Sequence, residues 1–136
     1  MKDMIEDFEN DYRNPINTIG SDSIGDCFFV NLPTELRNKV WSEWYGPIQS
    51  QLRNLNDDIS SVIIRAEKME WVDPIPMLSL IISIAEIHKE KQIYYIVPDL
   101  NLDTLSDGQK RVLEFLKKEG FFSEMINYNV CIVSEF

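Results

Sequence analysis

Residues 59–98 read ISSVIIRAEKMEWVDPIPMLSLIISIAEIHKEKQIYYIVP. Ile59 to Ala66 is a β-branched, almost unbroken apolar run. That pattern suits a central parallel strand covered on both faces. Asp73-Pro74-Ile75-Pro76 is turn and helix-start chemistry, with Asp73 a natural N-cap and Pro74 at the favoured first helical position. Pro76 disfavours the helical conformation at Ile75. The helix therefore starts at Pro74, or only at Pro76. It then runs to about Lys91 through Met77, Leu78, Leu80, Ile81, Ile82, Ile84 and Ile87. Gln92 to Val97 is the second β-rich run, ended by Pro98-Asp99. Together these segments predict one βαβ unit.

The helix of this unit is unusually apolar. Ser79, Ser83, Glu86 and Glu90 form its only polar stripe, and a helix lying on a sheet normally shows a wider one. Either its neighbours bury it on most sides, or part of it is an apolar patch for a partner. Each further buried Leu or Ile would contribute roughly 1.5–3 kcal/mol. Most of the helix is expected in the core, with a partner surface near its first turns. The two prolines also delete N–H groups that a helix start would offer an anion, which argues against a phosphate site there.

Toward the C-terminus, Ser106-Asp-Gly-Gln109 predicts a capping box. The helix it opens runs to about Glu119, with Val112, Leu113, Phe115 and Leu116 facing inward. Gly120 stops it, and Phe121-Phe122 pack back on it. Asn127 to Val133 reads as a last strand. Toward the N-terminus, Cys27 to Leu32 is a strand, and a short strand near Ile16–Ile19 would pair with it across the turn chemistry of residues 20–25. Leu36, Val40, Trp44, Ile48 and Leu52 recur every four residues, flanked by Trp41, Tyr45 and Leu55. They predict an amphipathic helix capped by Thr34 and kinked or split at Gly46-Pro47. Ile5, Phe8 and Tyr12 would give a short helix one apolar face, within an otherwise polar tail.

The order is β-α-β-α-β-α-β, which implies an α/β fold with a largely parallel sheet and right-handed crossovers. We divide the chain into an acidic tail or short helix/hairpin, residues 1–25, and a domain, residues 26–136. The 136 residues suffice for one core without staples, and the net charge of −10 argues against nucleic acid and anionic lipid as partners. Cys27 and Cys131 read as reduced, buried side chains of a cytoplasmic protein. The N-terminus has no signal-peptide character, and no apolar run is long enough for a membrane span.

Catalytic and metal signatures are absent. His88 has no cysteine or second histidine near it in sequence. Asp99, Asn101 and Asp103 imitate a calcium loop, but Thr104 and Lys110 stand where Gly and Glu are required. No phosphate-binding or nucleophile-elbow motif occurs. We expect no cofactor, no metal and no catalysis by this domain.

Trp71 to Ile81, followed by Gln92 to Pro98, resembles the central unit of STAS-like domains, relatives of bacterial anti-sigma factor antagonists. Phe115-Leu-Lys-Lys-Glu-Gly-Phe-Phe122 resembles the ending of those STAS-like domains that accompany histidine-kinase-type ATPases. The resemblance covers about residues 26–124. It implies a sandwich of helices on a mixed or mostly parallel sheet of about four strands. It also implies a non-catalytic role in signalling, docking an ATPase or kinase-type domain in cis or in trans, and is compatible with a homodimer. In phosphorylation-switched members an Asp-Ser-Ser-Gly turn carries the acceptor serine. Here Pro74 holds that position and has no hydroxyl, and Ser79 and Ser83 come too late in the helix. The expected contact is Asp73, Pro74, Ile75, Pro76 and Met77. Two alternatives stand beside it: a small-ligand sensor built on Trp41, Trp44 and Trp71, and an unrecognised enzyme.

Overall fold

The computed structural model describes residues 19–99 and 104–134, apart from the side chain of Trp44. Its elements are β1 (Gly20–Ile24), β2 (Cys27–Asn31), β3 (Glu35–Leu36), α1 (Asn38–Arg53), β4 (Ser61–Arg65), β5 (Trp71–Val72), α2 (Pro74–Ile87), β6 (Gln92–Ile96), α3 (Asp107–Lys118), α4 (Phe121–Asn127) and β7 (Cys131–Val133). The fold is α/β. Its main sheet has five strands in the order β1-β2-β4-β6-β7, and β3 and β5 pair as a separate two-stranded ribbon. β1 and β2 are antiparallel, and every other pairing is parallel. The residues expected to form a helix or a tail, and those before position 19 in the strand expected near Ile16–Ile19, lie outside the described part.

Alternation along the strands builds the core. Phe28, Val62 and Ile93 lie in register, as do Val30, Ile64, Tyr95 and Ile132. These residues share one hydrophobic cluster with Trp41 and Ile48 of α1, Leu80 and Ile84 of α2, Val112 and Leu116 of α3, and Phe121 and Met125 of α4. Ile63 and Ile96 alternate to the opposite face and are buried as well, outside that cluster. Strand β4 is thus covered on both faces, as its unbroken apolar run predicts.

Several expectations are corrected. The sheet has five strands rather than about four, because residues 20–24 form a strand instead of a turn. The hairpin turns at Gly25, whose φ of 62° suits glycine. Its strands straddle the boundary at residue 25, so β1 belongs to the same sheet as the rest. Thr34 does not cap α1. Leu36 is taken into the β3/β5 ribbon, and the helix starts at Asn38 after Arg37. Pro47 does not split α1, which runs from Asn38 to Arg53 with Pro47 inside it. Both Pro47 and Glu43, whose carbonyl loses its partner, are exposed, so water can satisfy that carbonyl. Beyond Gly120, at φ 79°, the chain turns directly into α4 rather than merely packing back. The last strand is shorter than read, beginning at Cys131.

The capping box forms as predicted. The Ser106 backbone N–H donates to Gln109 Oε1 at 2.8 Å, and the Gln109 N–H donates to Ser106 Oγ at 3.1 Å. Gln109 also donates through Nε2 to the Glu67 carbonyl at 2.8 Å, tying α3 to the loop after β4.

Candidate functional site

Helix α2 starts at Pro74, with Asp73 in the N-cap position. The Asp73 side chain does not cap its own helix. An N-cap carboxylate bonds the N–H of the second or third helical residue, and the third here is Pro76, which has none. Asp73 instead accepts the Asn38 backbone N–H through Oδ2 at 2.8 Å, at the start of α1, and the Trp71 indole N–H through Oδ1 at 2.9 Å. One carboxylate therefore joins the first turns of two helices and orients an exposed indole. Asp73→Ala is expected to cost about 0.5–1 kcal/mol, the lower part of the capping range, because water can reach the freed Asn38 N–H. Urea unfolding measures it, and an unchanged midpoint would show the link to be energetically idle.

Two polar side chains of the α2 stripe, Ser83 and Glu86, are engaged by α1, although Glu86 stays exposed and Glu90 lies beyond the helix end at Ile87. Ser83 is buried and forms a 2.9 Å hydrogen bond with the Tyr45 hydroxyl of α1. The Ser83 hydroxyl also lies 3.0 Å from the Ser79 carbonyl, to which it can donate. Three residues on, the Arg53 guanidinium donates to both oxygens of Glu86, each at 3.0 Å. These two residues lie at the seam between α1 and α2. The row left toward solvent is apolar: Ile75 is 59% exposed, Leu78 54% and Ile82 55%. Spaced i, i+3, i+7, they form one face of the helix.

Of the residues expected to make the partner contact, Asp73 is half-buried and bonded within the fold, Pro74 and Ile75 are exposed, and Pro76 and Met77 turn into the core. The outward surface therefore continues along Leu78 and Ile82, which sequence reasoning did not single out. The i, i+3, i+7 spacing was readable, but which side of the helix faces outward was not.

The Arg53 hydrogen bonds hold the Glu86 carboxyl below its ordinary value of 4.5. A depressed folded value means the pairing favours the folded state above 4.5 and that the contribution fades as pH falls through the folded value. Carbon-detected NMR should show Glu86 titrating below 4.5, and Arg53→Gln should move it back up. A titration unaffected by that substitution would exclude the pairing in solution.

The three tryptophans occupy different settings. Trp41 is buried and stacks on Tyr45 with ring centroids 4.6 Å apart. Trp71 is 47% exposed, with the Arg37 guanidinium 5.0 Å from its ring centroid. The side chain of Trp44 lies outside the described residues. Trp71, and not Trp41, lines a cavity of about 270 Å³ together with Pro74, Val112 and Phe115.

Chemistry elsewhere is limited. Burial and the neighbouring Asp26 carboxylate push the Cys27 thiol up, so it stays protonated at neutral pH and is a poor nucleophile. Among the described residues, no group of three or more His, Cys, Asp or Glu side chains is placed to hold a metal ion. None of the described helices is long and apolar enough to cross a membrane. Strands β2, β4, β6 and β7 are added in one direction across the sheet, so the order does not reverse. Among the described strands there is thus no reversal of the kind that forms the nucleotide-binding crevice of open α/β sheets. No known family model matches this chain, and no curated protein or solved structure shows a significant match to it.

Proposed function

We propose that this chain is a non-catalytic, STAS-like interaction domain of the cytoplasm that docks a histidine-kinase-like ATPase through the outward face of α2. One observation carries the reading: the apolar row Ile75, Leu78 and Ile82 is turned to solvent while Ser83 and Glu86 of the same helix are engaged by α1. A helix with no partner would gain by the opposite orientation, since each exposed Ile or Leu leaves apolar surface in water. The mostly parallel sheet and the helix beginning at Asp73-Pro74 agree with the resemblance in motif order. Pro74, without a hydroxyl, makes the docking independent of phosphate transfer at this turn.

The test is a photo-crosslinking amino acid at position 78, compared with the same probe at Glu114, an exposed position on α3. A crosslinked partner carrying a histidine-kinase-like ATPase domain, seen from position 78 alone, supports the reading. Equal crosslinking from both positions, or a partner of another class, overturns it.

A further inference from the structure

We propose that the cavity walled by Trp71, Pro74, Val112 and Phe115 binds a small aromatic carboxylate, with Arg111 as its counter-ion. The walls are apolar, and two of them are aromatic rings. At about 270 Å³ the space lies just below the ~300–1,000 Å³ of pockets that hold drug-sized ligands, so it suits a ring system with a short tail. The Trp71 ring is held in advance. Its N–H is committed to Asp73, and the Arg37 guanidinium lies against it. A ring already fixed in place costs a ligand little ordering entropy.

The sign of the ligand follows from the three charged side chains at the cavity, Glu70, Asp73 and Arg111. Asp73 is spent on the start of α1 and on the Trp71 indole. Glu70 accepts the Ser106 hydroxyl at 2.6 Å and lies against the first turn of α3. The approach is so close that a Cβ on Gly108 would stand 2.7 Å from the Glu70 Cβ. Both carboxylates are thus held by neutral donors at helix starts, where the helix ends favour their charge. Arg111 is exposed and has no hydrogen bond or ion pair among the described residues. Arg111 is therefore the one charged side chain at the cavity that no other described residue engages, in a chain whose net charge is −10. One guanidinium fork matches the two oxygens of a carboxylate. A phosphate would need more donors, and Pro74 and Pro76 have removed two from the adjacent helix start.

The experiment follows the Trp71 indole N–H by ¹⁵N NMR in the full chain, its signal assigned from Trp71→Phe. Indole-3-acetate, its neutral amide and tryptamine share the ring and differ in charge. Indole-3-acetate is expected to shift the signal saturably, the amide to bind about tenfold more weakly and tryptamine to have no effect, as for one charge-assisted hydrogen bond. Arg111→Gln should reduce acetate binding to the amide level and leave the amide unchanged, with the rest of the spectrum showing an intact fold. Equal binding of acetate and amide, an Arg111→Gln variant that binds acetate like wild type, or no saturable shift overturns the proposal. The assay contains no partner protein, so its failure leaves the docking reading untouched.

Discussion

Leu78→Asp together with Ile82→Asp is expected to leave the chain folded and to weaken partner binding at least about hundredfold. The argument compares two costs. In the free chain both side chains are about half exposed, so removing them forfeits little burial. Replacing Leu or Ile by Asp in an exposed helix position costs about 0.5 kcal/mol of propensity, a small part of the roughly 5–15 kcal/mol that holds a domain together. In a complex, the same residues would be desolvated at the centre of the contact. Central apolar anchors lose about 2 kcal/mol or more each on truncation, and a buried unpaired carboxylate costs more. Two such losses exceed a hundredfold. Ile84→Asp is the internal control. It lies two residues from Ile82, is fully buried, and should unfold the chain rather than merely uncouple it. Calorimetry of the purified variants against any partner crosslinked from position 78, with a melting curve for each, separates the outcomes. Full binding by the folded double variant would remove α2 from the interface.

The sequence predicted these elements unevenly, and each failure has a physical source. The βαβ unit was legible because three signals coincide in residues 59–98: a run buried on both faces, a proline-marked helix start and a second β-branched run. The Ser106–Gln109 box was legible because both bonds join near neighbours in sequence. The β3/β5 ribbon was not, since two residues per strand carry no period. Residues 20–24 have turn composition, yet an edge strand needs only one backbone neighbour, and β2 supplies it along the whole length. Helix α4 was hidden by its length of seven residues and by the glycine before it. The site fared in between. The start of α2 was narrowed to Pro74 or Pro76, of which Pro74 is the first helical residue, but periodicity reports only which residues share a face. The inward side was decided by Tyr45 and Arg53, both more than thirty residues away in sequence from their partners on α2. Trp71 was noted for its residue type, while Arg111 drew no attention, because an isolated arginine on a helix carries no signal until Glu70 and Asp73 are seen to be engaged elsewhere.

Phe121→Ala is expected to destabilise the fold by about 3–5 kcal/mol, the range for emptying a large aromatic site in a core. Phe121 is 1% exposed. It meets Tyr95 of β6 edge-on at 5.3 Å and Phe122 at 5.6 Å, while Phe122 meets Tyr95 at 6.2 Å. The three rings therefore form a closed set linking α4 to a central strand. Edge-to-face pairs add about 0.5–1.5 kcal/mol beyond burial, and truncation of Phe121 breaks two of the three. The surroundings leave little room for collapse, because Tyr95 sits within the sheet and Gly120 fixes the path of the chain just before the ring. Phe121→Leu retains most of the volume and should cost about 1–1.5 kcal/mol. Tyr95→Phe should move the other way. The Tyr95 hydroxyl is buried without a hydrogen-bond partner, and burial pushes its pKa well up. Deleting it removes an unsatisfied group that costs about 1–3 kcal/mol, while the ring contacts remain. Urea unfolding with a common slope decides these cases. A cost below about 1 kcal/mol for Phe121→Ala would show that α4 docks without its first aromatic ring, contrary to the standard cost of such a cavity.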